Sequence, residues 1–163
     1  MRPLTEAEIR ASFVNATAAE LEHFELPLEV LVAEWERLDA LAWRDRKVRQ
    51  RGYLVTELED GPAGVVLRAA ESTMSRHRAA ICNLCHTQQP ADQVTLFSAR
   101  RAGAQGEAGD SVGTYLCSDL SCQENVRLHA PLAPAEVRDG WQALRRIEGL
   151  ARRTREFVAG VRG

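Results

Sequence analysis

The chain has 163 residues, 45% of them hydrophobic, which is enough for one cored domain or one domain with a helical appendage. No stretch is long and apolar enough to span a bilayer, and no charged segment followed by an apolar run opens the chain. Membrane and secretory classes are therefore set aside, and a cytoplasmic protein with reduced thiols is expected.

The net charge of −2 conceals an uneven spread. Residues 1–45 hold four arginines against ten acids, and residues 46–101 hold nine basic groups against five acids. From Pro134 onward there are seven arginines and four acids. This asymmetry suits a face that meets an acidic partner, and equally an ordinary solvated surface.

Thr5-Glu6-Ala7-Glu8 is a capping box that starts a first helix, with Leu4 and Ile9 placed as a hydrophobic staple. Thr17-Ala18-Ala19-Glu20 repeats the box and starts a shorter helix that Pro27 should end. Leu28, Leu31, Trp35, Leu38 and Leu41 or Ala42 then recur at helical spacing, which predicts a further helix with these residues in the core. Residues 44–51 form a charged linker. Tyr53–Leu58 and Gly64–Leu67, around an Asp-Gly turn, read as a β-hairpin.

Residues 70–79 are polar. Val94–Arg100 reads as a third strand and Val112–Cys117 as a fourth, with a mobile loop from Ala102 to Asp110 between them. Ser118 or Asp119 can cap a helix that holds Cys122 in its first turn and runs to about His129. Pro131 and Pro134 precede a last helix. Its expected buried face is Trp141, Leu144, Ile147, Ala151, Val158 and Val161, opposite a face bearing Arg138, Arg145 and Arg152, flanked by Arg146 and Arg153. The fold class is thus α+β. A helical segment spans residues 1–45, an antiparallel sheet with a metal-binding finger spans 46–130, and a C-terminal helix spans 131–163.

Four cysteines stand in two close pairs, Cys82-Asn83-Leu84-Cys85 and Cys117 with Cys122. A tetrahedral zinc ion holds each thiolate at about 2.3 Å, so each pair must come from one tight turn. The residues between Cys85 and Cys117 suffice for a hairpin that returns the second pair to the first. Two disulfides fit poorly with a reducing compartment. Cysteine knuckle, hairpin and a helix with the last ligand make the order of a treble-clef finger. Four protein sulfurs close the coordination sphere, so the single zinc is expected to be structural.

Enzymatic readings lack their motifs. Zinc deaminases pair Cys-x-x-Cys with an upstream His-x-Glu that does not occur here. His77 and His86 lie near the first pair, but four cysteines already complete the site. A direct RNA reader is the stronger rival, since Arg76, Arg78, Arg100 and Arg101 bracket the finger, with Phe97 close by. Against it stands the acidic overall balance.

The first cysteine pair, the run Phe97-Ser98-Ala99-Arg100-Arg101-Ala102-Gly103 and the run from Ser111 to Cys122 resemble the FBP family of FusB-like elongation factor G-binding proteins. Leu41–Asp45 and Arg51–Val55 share the likeness. The resemblance implies a non-enzymatic protein, linked in its family to fusidic acid resistance. Such a protein docks onto elongation factor G through its zinc finger and acts at the ribosome, with no membrane and no small-molecule substrate. The surface beside the finger is then expected to carry the contact, with Phe97, Arg100, Arg101, Tyr115 and Arg127 as candidates. Phe97 and Tyr115 read equally as sheet packing, and the arginines as solvated charge.

Overall fold

The computed structural model describes residues 1–22, 24–71, 74–128 and 131–163. The first turn of α1 (Glu6–Ser12) carries its expected cap. Thr5 Oγ1 accepts the Glu8 N–H at 3.2 Å and Glu8 accepts the Thr5 N–H at 2.8 Å. Leu4 and Ile9 are both buried in one cluster. The second box is also formed, between Thr17 and Glu20, at the start of α2 (Ala18–Glu22).

The helix expected over Leu28–Ala42 is absent. Pro27 caps a single turn, α3 (Leu28–Leu31), a 3-10 turn follows at Trp35–Arg37, and the chain extends into β1 (Leu41–Arg44). Leu28 and Leu31 are exposed, whereas Trp35 and Leu38 lean on the core. The distant partner decides the outcome. Trp43 stacks on Tyr53 at 5.0 Å between ring centroids, and β1 pairs with the strand that carries Tyr53. A non-local ladder overrides local helical spacing here.

The expected hairpin forms from β2 (Arg51–Leu58) and β3 (Gly61–Ala69), but its turn is Glu59-Asp60, one residue before the expected Asp-Gly, and Gly61 already pairs with Leu58. The segment before the first cysteines holds β4 (Ala79–Ile81), and β5 (Gln88–Pro90) follows them. Next come β6 (Val94–Arg100), α4 (Gly103–Glu107), β7 (Ser111–Cys117), α5 (Cys122–Asn125) and α6 (Gln142–Arg162). Helix α4 replaces the expected loop. It folds tightly because Gly106 has no side chain; a Cβ there would lie 1.8 Å from the Arg101 carbonyl oxygen. Helix α5 ends at Asn125, short of the expected end, and His129 lies outside the described residues.

The strands form an antiparallel sheet in the order β1-β2-β3-β6-β7, with β4 and β5 as a separate small hairpin. Strands β3 and β6 pair only at Arg68–Ser98 and Ala69–Phe97. Where they part, the chain after α1 enters: Phe13 bridges Gly64, and the Val14 N–H bonds the Gly64 carbonyl at 2.9 Å. The buried Asn15 amide then bonds both backbone groups of Val66 and the Arg100 carbonyl.

One face of the sheet packs against the N-terminal segment through Ile9, Phe13, Phe24, Trp43 and Tyr53. The other packs against the cysteine region and α6. The buried stripe of α6 differs from the expected one. Arg146, Leu150, Thr154, Val158 and Val161 face inward, while Trp141 and Leu144 are exposed. Arg146 can be buried because Glu136 clasps it with bonds of 2.6 and 2.5 Å and the Pro131 carbonyl accepts a third. Arg153 also turns inward, donating to the Leu84 carbonyl at 2.6 Å. Arg138, Arg145 and Arg152 remain exposed.

Candidate metal centre

Strands β4 and β5 form a short hairpin whose tip is the first cysteine pair. The turn closes with the Cys82 N–H on the Thr87 carbonyl and the His86 N–H on the Cys82 carbonyl. His86 takes a left-handed conformation, with φ of 56°, that this reversal requires. Histidine adopts that region more readily than most residues. The tip docks on β7, with the Asn83 N–H bonding the Tyr115 carbonyl at 2.8 Å and its amide bonding Thr114 at 3.1 Å.

Strand β7 delivers Cys117 at its end. The following turn places Leu120 at φ of 64° and returns the chain into α5, whose first residue is Cys122. Asp119 braces this turn by accepting the Ser121 N–H and hydroxyl. It does so two residues before the N-cap, which is Ser121. Leu120 then packs over β2, where Gly52 leaves the room: a Cβ there would meet Leu120 Cδ1 at 2.7 Å.

The result brings all four cysteines together. Their sulfurs lie within 4.8 Å of one another, with Cys82 to Cys122 and Cys85 to Cys117 each at 3.6 Å. A zinc ion with bonds of about 2.3 Å separates its tetrahedral ligands by roughly 3.8 Å, so the spacing fits. All four are buried and none is in a disulfide. Hydrogen bonds from Cys117 and then Cys122 hold the thiols of Cys82 and Cys85 below their ordinary range. Contacts with Cys117 first, then Cys82 and Cys85, push Cys122 up. A divalent cation takes the place of the protons that remain.

Three further groups support the sulfurs. Gln89 and Asn125 donate amide N–H groups to Cys117 at 3.2 and 3.3 Å, and Thr87 lies 3.0 Å from Cys85. Such donors favour thiolates and orient them on the metal. Sequence reasoning missed all three. Asn125 reaches Cys117 from eight residues away, across the turn that leads into α5, so no local spacing marked it. His77 and His86 are exposed and outside the cluster. The donor set is all sulfur and leaves no position for water, as in a structural zinc site.

Residues 8–161 match the family described as FBP C-terminal treble-clef zinc-finger. The chain belongs to this family. In the FBP finger seen here, the sheet, the two cysteine turns and α6 form one continuous core. No curated protein matches the chain. Among solved structures, that of the fusidic acid resistance protein FusC matches with 18% identity and a TM-score of 0.47. The match covers 68% of this chain and 52% of FusC, so the chain spans about half of that protein's length.

The five residues expected to carry a partner contact separate. Phe97 is fully buried, with the Arg44 guanidinium 5.1 Å from its ring centroid, so it is corrected from contact to core. Arg100 is half exposed and bonds the Asn15 carbonyl and Glu20, tying β6 to the N-terminal segment. Arg101 pairs with Asp110 at 3.0 Å and bonds the Gly160 carbonyl near the end of α6. Arg127 clasps Gln123, the Arg37 carbonyl and Asp39. Tyr115 is exposed on β7, directly across from the exposed Leu96 on β6.

Proposed function

We propose that this FBP-family chain is a non-enzymatic, cytoplasmic zinc protein that binds elongation factor G and acts on ribosome-bound translation complexes. The observation that carries the reading is the uncovered half of the sheet beside the closed metal site. The N-terminal segment packs on β1, β2 and β3 and leaves Leu96 and Tyr115 exposed, at 40% and 44%. They form a cross-strand apolar pair next to Asn83 of the cysteine knuckle. An exposed tyrosine on a rigid strand is a common anchor of protein interfaces. A closed thiolate site offers no catalytic position, so the zinc's contribution is to hold this surface in shape.

The test is capture of purified elongation factor G by the zinc-loaded protein at moderate salt. A complex should form at micromolar protein, and Tyr115→Ala should weaken it about 30-fold, as for a tyrosine hot spot worth roughly 2 kcal/mol. Absence of a complex sinks the translation reading. Retention on RNA alone, lost when exposed Arg76 and Arg78 are replaced, would establish the nucleic-acid alternative instead.

A further inference from the structure

The other edge of the sheet is β1, and its backbone is not finished. The Asp45 N–H bonds the Arg51 carbonyl, so alternation along the antiparallel pair turns the backbone groups of Trp43 and Leu41 toward β2. Those of Ala42 and Arg44 then point away from the sheet. Ala40 shares their parity, and its carbonyl accepts the Gln123 side-chain N–H at 3.1 Å. Among the described residues, the backbone N–H and C=O groups of Ala42 and Arg44 have no partner.

A groove of about 530 Å³ runs along this edge. Val30, Ala33 and Leu38 line one wall, and Leu120 and Gln123 line the other. An open strand edge at the floor of an apolar groove is the arrangement that receives an added strand. The walls select a single extended chain. A second copy would have to bring its own β1, flanked by the same two walls, into the same space.

Charge narrows the occupant further. Three of the arginines around the groove form ion pairs within the chain, and the fourth, Arg44, stands near the Asp119 carboxylate. Arg37 pairs with Glu34 at 2.7 Å, Arg46 with Glu29 at 3.1 Å and Arg127 with Asp39 at 3.3 Å, while Arg44 donates to the Ser118 carbonyl. Exposed Glu124 has no ion-pair partner among the described residues, and the Asp119 carboxylate meets only Ser121 through hydrogen bonds. With Asp119 set against Arg44, the charge left uncommitted at the α5 end of the groove is that of Glu124.

We infer that the β1 edge takes up an extended segment of a partner protein as an added strand, with a basic side chain of that segment reaching Glu124. Ala42 and Arg44 supply the backbone bonds, and the apolar walls receive alternate side chains. This edge is opposite β7, so the inference stands whether or not elongation factor G binds the Tyr115 face.

The experiment titrates isotope-labelled, zinc-loaded protein with the peptide acetyl-Arg-Thr-Val-Thr-Val-Thr-amide and follows amide exchange. Exchange at Ala42 and Arg44 should slow by about tenfold or more as their N–H groups gain partners. Glu124→Lys, at an exposed position, should weaken the peptide's binding several-fold. Ala42→Pro should abolish binding while the sheet persists, because the lost N–H is not part of the β1–β2 ladder. Unchanged exchange at millimolar peptide would overturn the inference, as would equal binding by a peptide N-methylated at alternate residues. Protection that rises with the protein's own concentration, without peptide, would also overturn it and assign the edge to a second copy.

Discussion

Gly52 and Gly64 face opposite sides of the same hairpin, and each makes room for what covers its side. Over Gly52 lies Leu120, from the turn between two metal ligands; over Gly64 lie Ser12 and Phe13, from the end of a capped helix. The first cover is held by the sulfur cluster and by α6, the second by an aromatic group of Phe13, Phe24, Trp43 and Tyr53 with centroids 5.0 to 5.9 Å apart. Two covers of one sheet thus draw on different physics. One depends on a ligand that must be bound, the other on packing that is always present.

The largest effect should come from the metal. Structural zinc contributes on the order of 10 kcal/mol to folding in finger peptides, so Cys117→Ser should lose the ion and unfold the finger side first. Metal analysis should find one zinc per parent chain and none in the variant. Hydrogen exchange should open β6 and β7 before the aromatic side; equal opening on both sides would break the comparison. Next comes Glu136→Gln, which leaves Arg146, whose side chain is 4% exposed, without its charge partner. Removing one partner of a buried pair costs about 3–5 kcal/mol, read as a lower urea midpoint.

The same pair gives a pH signature. The Arg146 hydrogen bonds hold the Glu136 carboxyl below its usual 4.5. A depressed folded pKa contributes stability that is complete above 4.5 and is lost as pH falls through the lower, folded value. Acid titration of the parent should show this loss, and Glu136→Gln should flatten it.

The two glycines offer the sharpest contrast. Gly52→Ala and Gly64→Ala should each cost about 1–3 kcal/mol through overpacking. Only Gly52→Ala should speed the loss of zinc to a chelator, because only it displaces Leu120 from its place between the ligands. Equal chelator sensitivity would mean that the two covers are one cooperative unit. Smallest is Thr5→Ala, which removes a helix cap for about 1 kcal/mol and should lower the thermal midpoint without touching zinc retention.

The metal quartet was readable from the chain because zinc restricts both residue type and spacing. Both capping boxes, the β2–β3 hairpin and the strands ending at Arg100 and Cys117 are local signals, and they appear close to where local rules put them. Strand β1 was hidden because its cause is Tyr53 and its neighbours, not its own spacing. Strands β4 and β5, three residues each, are too short to show a period. The inner stripe of α6 was misread at Arg146 because an arginine signals solvent until its carboxylate partner is known. Gln89 and Asn125 gave little sign of their work, since amide side chains are common on any surface.

Asn15 has a consequence for how the sheet is held together. Strands β3 and β6 meet at only two residue pairs, and beyond them a single carboxamide spans the gap from Val66 to Arg100. The chain from Phe13 to Asn15 is therefore a wedge driven into a seam, not a lid laid over a finished sheet. The wedge joins the two hairpins on one face of that seam, while the buried core joins them on the other. Without the Asn15 carboxamide, both backbone groups of Val66 and the Arg100 carbonyl would lose their shared partner at the centre of the sheet.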